Sequence, residues 1–133
     1  MNKGRQENEG SDELQACIAF TLGNSEFAIP LLNVKEVIPM FQMTLLPEPK
    51  EYIQGVIHHR GAIVSVFDLE RRLGVVGGGF GAESAIVVLE TPFSCFGIRV
   101  DQVNRVCEIR TRSEHPPFLF LDFEKTLSVH RLR

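Results

Sequence analysis

The sequence predicts an all-β fold of two small barrels related by internal duplication, the second shortened by about one strand and one turn. Three observations predict it. Apolar runs rich in Val, Ile and Phe recur between turn signals made of Gly, Pro, Asn and Ser. Phe27 to Val37 (FAIPLLNVKEV) aligns with Phe96 to Val106 (FGIRVDQVNRV) at an offset of 69, matching Phe27 with Phe96, Ile29 with Ile98, Leu31 with Val100, Val34 with Val103 and Val37 with Val106. Val66 to Leu73 (VFDLERRL) aligns with Phe120 to Leu127 (FLDFEKTL) at an offset of 54, so the second copy lacks about 15 residues between Val106 and Asp122. Units of roughly 50 to 60 residues are marginal alone, so the two are expected to share a core or an interface.

Residues 1–15 are charged and rich in Gly, Asn and Glu, the composition of a disordered lead-in. Ala16 to Leu22, a turn at Gly23-Asn24-Ser25 and Phe27 to Leu31 form a first hairpin. Leu32 to Ile38 fits either a short helix or a twisted strand, ended by Pro39. Pro47 and Pro49 mark an extended connection into Tyr52. From there Ile53, Val56 and Ile57 precede an Arg60-Gly61 turn, and Ala62 to Phe67 follow it, a second hairpin. Asp68 is placed to cap a helical turn carrying Leu69 and Leu73 on one face, with Gly74 as its stop. Residues 75–83 form a glycine-rich connector, without the Lys-Ser or Lys-Thr that a phosphate-binding loop wants. Ala85 to Leu89, a Thr91-Pro92 turn and Cys95 to Val100 give a third hairpin, with Val103, Val106 and Ile109 closing that region. The expected organisation is one domain over 16–127, with subdomains at about 16–75 and 84–127 and a tail at 128–133.

A net charge of −3 with basic residues scattered along 133 positions argues against nucleic acid or an anionic membrane surface as the partner. No apolar run approaches a membrane span, and the polar start does not resemble a secretory leader, so a cytoplasmic protein is expected. Cys17, Cys95 and Cys107 sit in apolar surroundings without CxxC or CxxH spacing, which reads as buried reduced thiols rather than a metal site. No cofactor, metal or catalytic residue is expected. A thiol enzyme built on Cys95 or Cys107 with a histidine and Asp101 would need a polar, accessible cysteine beside a base.

The order of motifs resembles the CheW family of bacterial chemotaxis coupling proteins. It is carried by CIAFTLGNSEFAIPLLNVKEVI, YIQGVIHHRGAIVSVFDLERRLG, AIVVLE and FGIRVDQVNRVCEI, and covers Ala16 to Ile109 and then Phe118 to Leu127. The resemblance implies two SH3-like β-barrels without catalytic activity. It implies an adaptor joining the cytoplasmic tips of chemoreceptors (methyl-accepting chemotaxis proteins) to the histidine kinase CheA at receptor arrays. The positions that match the family's receptor-contact motif are Val34, Glu36, Val37, Gly55, Arg60, Val103 and Val106. Arg60 is expected to tie neighbouring carbonyls or a carboxylate together through its five donors. Read from periodicity alone, the four valines are core residues, Glu36 a rim charge and Gly55 a site of close backbone approach.

Two departures stand out. His58-His59 replaces the family's usual Asn-Leu, which places titratable groups near the expected interface. Between Ile109 and Phe118 only RTRSEHPP stands where the family has a strand and turn, which puts CheA binding in question. The edge this opens is expected to be covered by the chain's own tail or by another copy through the second barrel. A CheW-like adaptor in a non-chemotactic pathway is the alternative reading.

Overall fold

A computed structural model of the chain describes residues 14–50, 52–74, 81–92, 94–110, 117–121 and 124–131. Of the disordered lead-in expected over residues 1–15, residues 1–13 lie outside the described residues, as do 75–80 of the glycine-rich connector, whereas Leu14 and Gln15 are strand residues. The fold is all-β, as the sequence predicts. A five-stranded sheet has the order β10-β11-β2-β1-β9 and a six-stranded sheet the order β3-β7-β8-β6-β5-β4. The strands are β1 (Leu14–Leu22), β2 (Ser25–Pro30), β3 (Val34–Pro39), β4 (Thr44–Lys50), β5 (Ile53–His59), β6 (Ala62–Phe67), β7 (Ala85–Glu90), β8 (Cys95–Val100), β9 (Gln102–Arg110), β10 (Pro117–Leu121) and β11 (Glu124–Arg131). β1 begins at Leu14 rather than Ala16, because Leu14 and Gln15 pair with Arg110 and Ile109.

Neither sheet is confined to one side of the connector, so the sequential division at 75–83 does not coincide with the sheets. The hairpin β1–β2 is followed by β3, which pairs with β7; the hairpin β7–β8 is followed by β9, which pairs with β1. Each hairpin therefore sends its next strand to the other. The exchange obeys the repeat: Val34 opposes Leu89 and Val103 opposes Phe20, while Val37 opposes Val87 and Val106 opposes Ile18. Phe20 and Leu89 stand 69 positions apart, as do Ile18 and Val87, so the duplication extends back into β1 and β7.

Buried Ile18, Phe20, Leu22, Phe27 and Ile29 of one sheet and Ile57, Val66, Ile86, Val87, Leu89, Ile98 and Val100 of the other belong to a single apolar cluster. At about 25 cal/mol per Å2 of apolar surface removed from water, this shared interior is what stabilises two sheets that would be marginal apart.

The ambiguous stretch after the first hairpin resolves into a 3-10 turn, Leu31–Asn33, and then strand β3. The connection expected around Pro47 and Pro49 is strand β4. Proline has no N–H to give a ladder, and it is tolerated because β4 lies at the sheet edge and its register slips between Leu45 and Lys50. The β5–β6 hairpin closes in two residues, with Arg60 at φ 54° and Gly61 at φ 81°, the pair of positive values a type I′ turn demands. Helix α1 (Leu69–Leu73) has Asp68 as N-cap, accepting from the Arg71 N–H at 3.3 Å, and left-handed Gly74 as its stop.

Beneath α1 lies a charge cluster that the sequence reading passed over. Arg99, in mid-β8, is 2% exposed. Its Nη2 lies 2.7 Å from Oε1 of Glu70 and 3.7 Å from Oδ1 of Asp68, and its Nη1 lies 2.9 Å from Oδ1 of Asp101. Oδ2 of Asp101 accepts from the Gly23 N–H at 2.7 Å, so one guanidinium links the helix to the β1–β2 turn.

The second copy departs from the first after β9. The segment aligned with α1 forms no helix from Glu124 onward, and the expected 128–133 tail continues in β11 as far as Arg131. β11 runs antiparallel beside β2, His130 opposite Ala28 and Arg131 opposite Phe27, whereas β8 has β6 parallel beside it at the corresponding flank. The chain's own C-terminal hairpin thus takes the edge that the shortened second half would leave open.

Candidate interaction site

β3 and β9 are edge strands of different sheets and are not paired with each other. In a regular strand, residues three apart face opposite sides. Here each strand carries a bulge between its two valines. Val34 opposes Leu89 and Glu36 opposes Val88, leaving Lys35 extra; Val103 opposes Phe20 and Arg105 opposes Ala19, leaving Asn104 extra. Lys35 and Asn104 are themselves 69 apart.

The bulges set the faces. Val34 and Val37 share the side of Leu89 and Val87, and Val103 and Val106 share the side of Phe20 and Ile18. Val34 and Val103 are half-buried and pack on the common core. Val37 and Val106 are exposed, at 42% and 60%, so the core's apolar surface runs out to solvent along two equivalent strands. The default reading of all four valines as core holds for the first pair and fails for the second.

Glu36 lies on the opposite side of β3, with its Oε1 3.1 Å from Nδ1 of His59. His58 and His59 are the last residues of β5 rather than loop residues; His58 is exposed and His59 is buried. Arg60 projects from the turn that follows and is exposed. The expected tie from its guanidinium to a carbonyl or carboxylate is not made among the described residues, and Glu36 is engaged by the histidine instead.

Gly55 is buried between β4 and β6, opposite Leu45 and Val66. A Cβ there would stand 2.5 Å from the Thr44 carbonyl oxygen and 2.8 Å from Cγ of Met43. It therefore offers a partner no side-chain surface; its place is to let β4 approach. The structure brings Glu36 and, through His59, the Arg60 turn to one locality, sets the valines along two edges, and keeps Gly55 inside.

The sequence reading missed exposed apolar side chains around these elements. Ile63 is 68% exposed opposite His58, and Leu32 and Phe41 project from the 3-10 turns on either side of β3, Leu31–Asn33 and Met40–Gln42. Each looks like core by residue type; only the curl of the chain reveals otherwise.

Among the described residues no group of three or more His, Cys, Asp and Glu is placed to hold a metal, and no helix is long and apolar enough to cross a membrane. Cys95 is half-buried, and burial, helped by Glu90 and opposed by Lys35, pushes its thiol up, away from the thiolate a nucleophile needs.

The profile of the CheW-like domain family matches residues 16–128. A probable chemotaxis protein CheW of Rhizobium etli is 31% identical over 119 residues, 89% of this chain and 75% of that protein. The chemotaxis protein CheW of Rhizobium meliloti is 29% identical over 128 residues, 96% of this chain and 81% of its own. Among solved structures, the scaffolding protein TtCheW from Thermoanaerobacter tengcongensis superposes with a TM-score of 0.69 at 30% identity, covering 83% of this chain and 75% of that one.

Proposed function

The chain belongs to the CheW-like domain family, and from that premise we propose that it is a non-enzymatic chemotaxis adaptor, coupling the cytoplasmic tips of chemoreceptors to the histidine kinase CheA. Its place is then in the cytoplasm, at receptor arrays.

One observation carries the receptor half of this reading. Val37 and Val106 are exposed apolar residues at equivalent positions of two edge strands, each continuous with the core through a half-buried valine. An apolar row of this kind suits the apolar face of a partner helix. Arg60 and Glu36 supply charge beside the β3 row, which favours one partner register over others. In this reading Gly55 acts only by letting β4 close on β5.

A second reading is favoured by the short segment RTRSEHPP between Ile109 and Phe118, where the family resemblance implies a further strand and turn: an adaptor that binds receptors without CheA, in chemotaxis or in another pathway.

Co-sedimentation of the purified chain with receptor tips, with and without CheA, separates the two. The chain is expected to sediment with receptor tips and to bring CheA with it. Arg60→Glu is expected to lose receptor binding, whereas Arg60→Gly, compatible with φ 54°, keeps the turn and reports the loss of the guanidinium alone. Receptor binding without CheA supports the second reading. Full binding by Arg60→Glu removes Arg60 from the site, and absence of both partners from the pellet overturns the proposal.

A further inference from the structure

Cys17 and Cys107 are 90 residues apart in sequence and stand directly opposite each other across the β1–β9 ladder. Residues directly opposed in an antiparallel pair have Cα atoms about 4.5 or 5.5 Å apart, depending on the ladder position, and both spacings fall inside the roughly 4.4–6.8 Å range of disulfides. Their side chains lie on one face of the sheet, beside Ala28 and Ile109 in a small apolar cluster. In the other half of the repeat the equivalent pair is Ile38 opposite Ile86, both buried, so two isoleucines in that ladder are exchanged for two thiols in this one. Both cysteines are free.

We propose that Cys17 and Cys107 form a reversible cross-strand disulfide when the protein meets a peroxide, pinning the edge strand β9 to β1.

The two thiols differ in a way that assigns the steps. Cys17 is fully buried and Cys107 is half-buried, so Cys107 meets the oxidant. As thiolate it attacks one peroxide oxygen; the S–O bond forms, the O–O bond breaks, and the departing hydroxide takes a proton to become water. Cys17 then loses its proton and attacks the sulfenyl sulfur of Cys107. The S–S bond forms, the S–O bond breaks, and the second oxygen leaves as water. Two thiols give up two electrons, and the peroxide accepts them. Burial, and after it the nearness of Cys107, pushes the Cys17 thiol up to about 11, which slows the second step.

Val106 is the immediate neighbour of Cys107 and is exposed on the opposite face of β9. The disulfide therefore restrains the strand that presents this valine. The chemistry is read on the isolated chain and does not depend on what binds Val106.

The test treats the full-length purified chain with graded hydrogen peroxide, blocks remaining thiols by alkylation, and maps peptides under non-reducing conditions. The expected result is an intramolecular link between the Cys17 and Cys107 peptides, one alkylated thiol at Cys95, and complete reversal by dithiothreitol. The denaturation midpoint is expected to rise on oxidation and return on reduction, because the bond constrains a long loop of the unfolded chain. Cys95→Ser is expected to form the link normally. In Cys17→Ser the sulfenic acid at Cys107 is expected to persist and be trapped by dimedone, and half-buried Cys107→Ser serves as the second variant if Cys17→Ser does not fold. Over-oxidation of Cys107 in the native chain without the link, links only between molecules, or a link through Cys95 would each overturn the proposal.

Discussion

Nδ1 of His59 lies 3.1 Å from Oε1 of Glu36, although β5 and β3 stand four places apart in their sheet. At about 4.8 Å per strand a flat sheet would hold them roughly 19 Å apart, so the contact marks how far the six strands roll toward closure. The nitrogen facing the carboxylate must carry a proton for the contact to attract, which fixes that tautomer or the imidazolium. Because Glu36 is half in water, the coupling is modest. A double-mutant cycle with Glu36→Ala and His59→Ala, read by denaturant unfolding, is expected to give a coupling of about 0.5–1 kcal/mol, and additivity of the two changes would show that they do not act together.

Arg99 is a different case, because its buried charge meets buried Glu70 and two partly buried carboxylates, Asp68 and Asp101. Arg99→Ala leaves Glu70 buried without its cation and Asp101 without its partner, and is expected to cost about 3–5 kcal/mol in unfolding free energy. Arg99→Lys does not restore it, since a single ammonium cannot reproduce the fork that meets Glu70 with one terminal nitrogen and Asp101 with the other. The Arg99→Ala/Glu70→Ala double variant is expected to cost less than the sum of the two single changes; a strictly additive cost would rule out the coupling.

Gly55→Ala tests whether that position is packing or interface. A methyl 2.5 Å from a backbone carbonyl oxygen forces β4 off β5. The expected loss is about 1–3 kcal/mol in unfolding free energy, with faster amide exchange in β4 and β5. A variant of unchanged stability that still fails to bind receptor tips would return Gly55 to the interface.

Where local chemistry decides the structure, the sequence was readable. Positive φ at Arg60-Gly61 closes the second hairpin, and Asp68 and Gly74 bound the helix as their side chains dictate. β4 was hidden because two prolines forbid a central strand but not an edge one. The segment aligned with the first copy's helix would form a second one on local signal, yet pairing with β10, and with β2 at its far end, draws Glu124 onward into β11, a tertiary contact overriding a local signal. Arg99 escaped notice because a lone arginine in an apolar run acquires meaning only when the fold brings Glu70, Asp68 and Asp101 to it. The repeat was visible over Phe27 to Val37, but not in β1 and β7, where Phe20 and Leu89 share position without sharing shape. Of the candidate site, the valine pairs were legible through that repeat. Which member of each faces water was not, because the bulges at Lys35 and Asn104 leave no mark in residue type.

β2 depends on the C-terminal hairpin for its outer neighbour, and this gives the last prediction. Its backbone at Phe27 and Ala28 pairs with Arg131 and His130, a flank only two registered positions long. Removing residues 117–133 leaves a strand edge whose alternate side chains Phe27 and Ile29 are fully buried in the core, so the strand stays in place while its outward N–H and C=O groups lose their partners. Such an edge recruits another chain. Light scattering over a concentration series is expected to find the full chain unchanged in mass and the truncated one rising with concentration, with faster exchange at low concentration of whichever amide of Phe27 and Ala28 faces β11, the other, which faces β1, staying protected. A truncated chain that stays monomeric with both amides still protected would mean that β11 is not what covers β2.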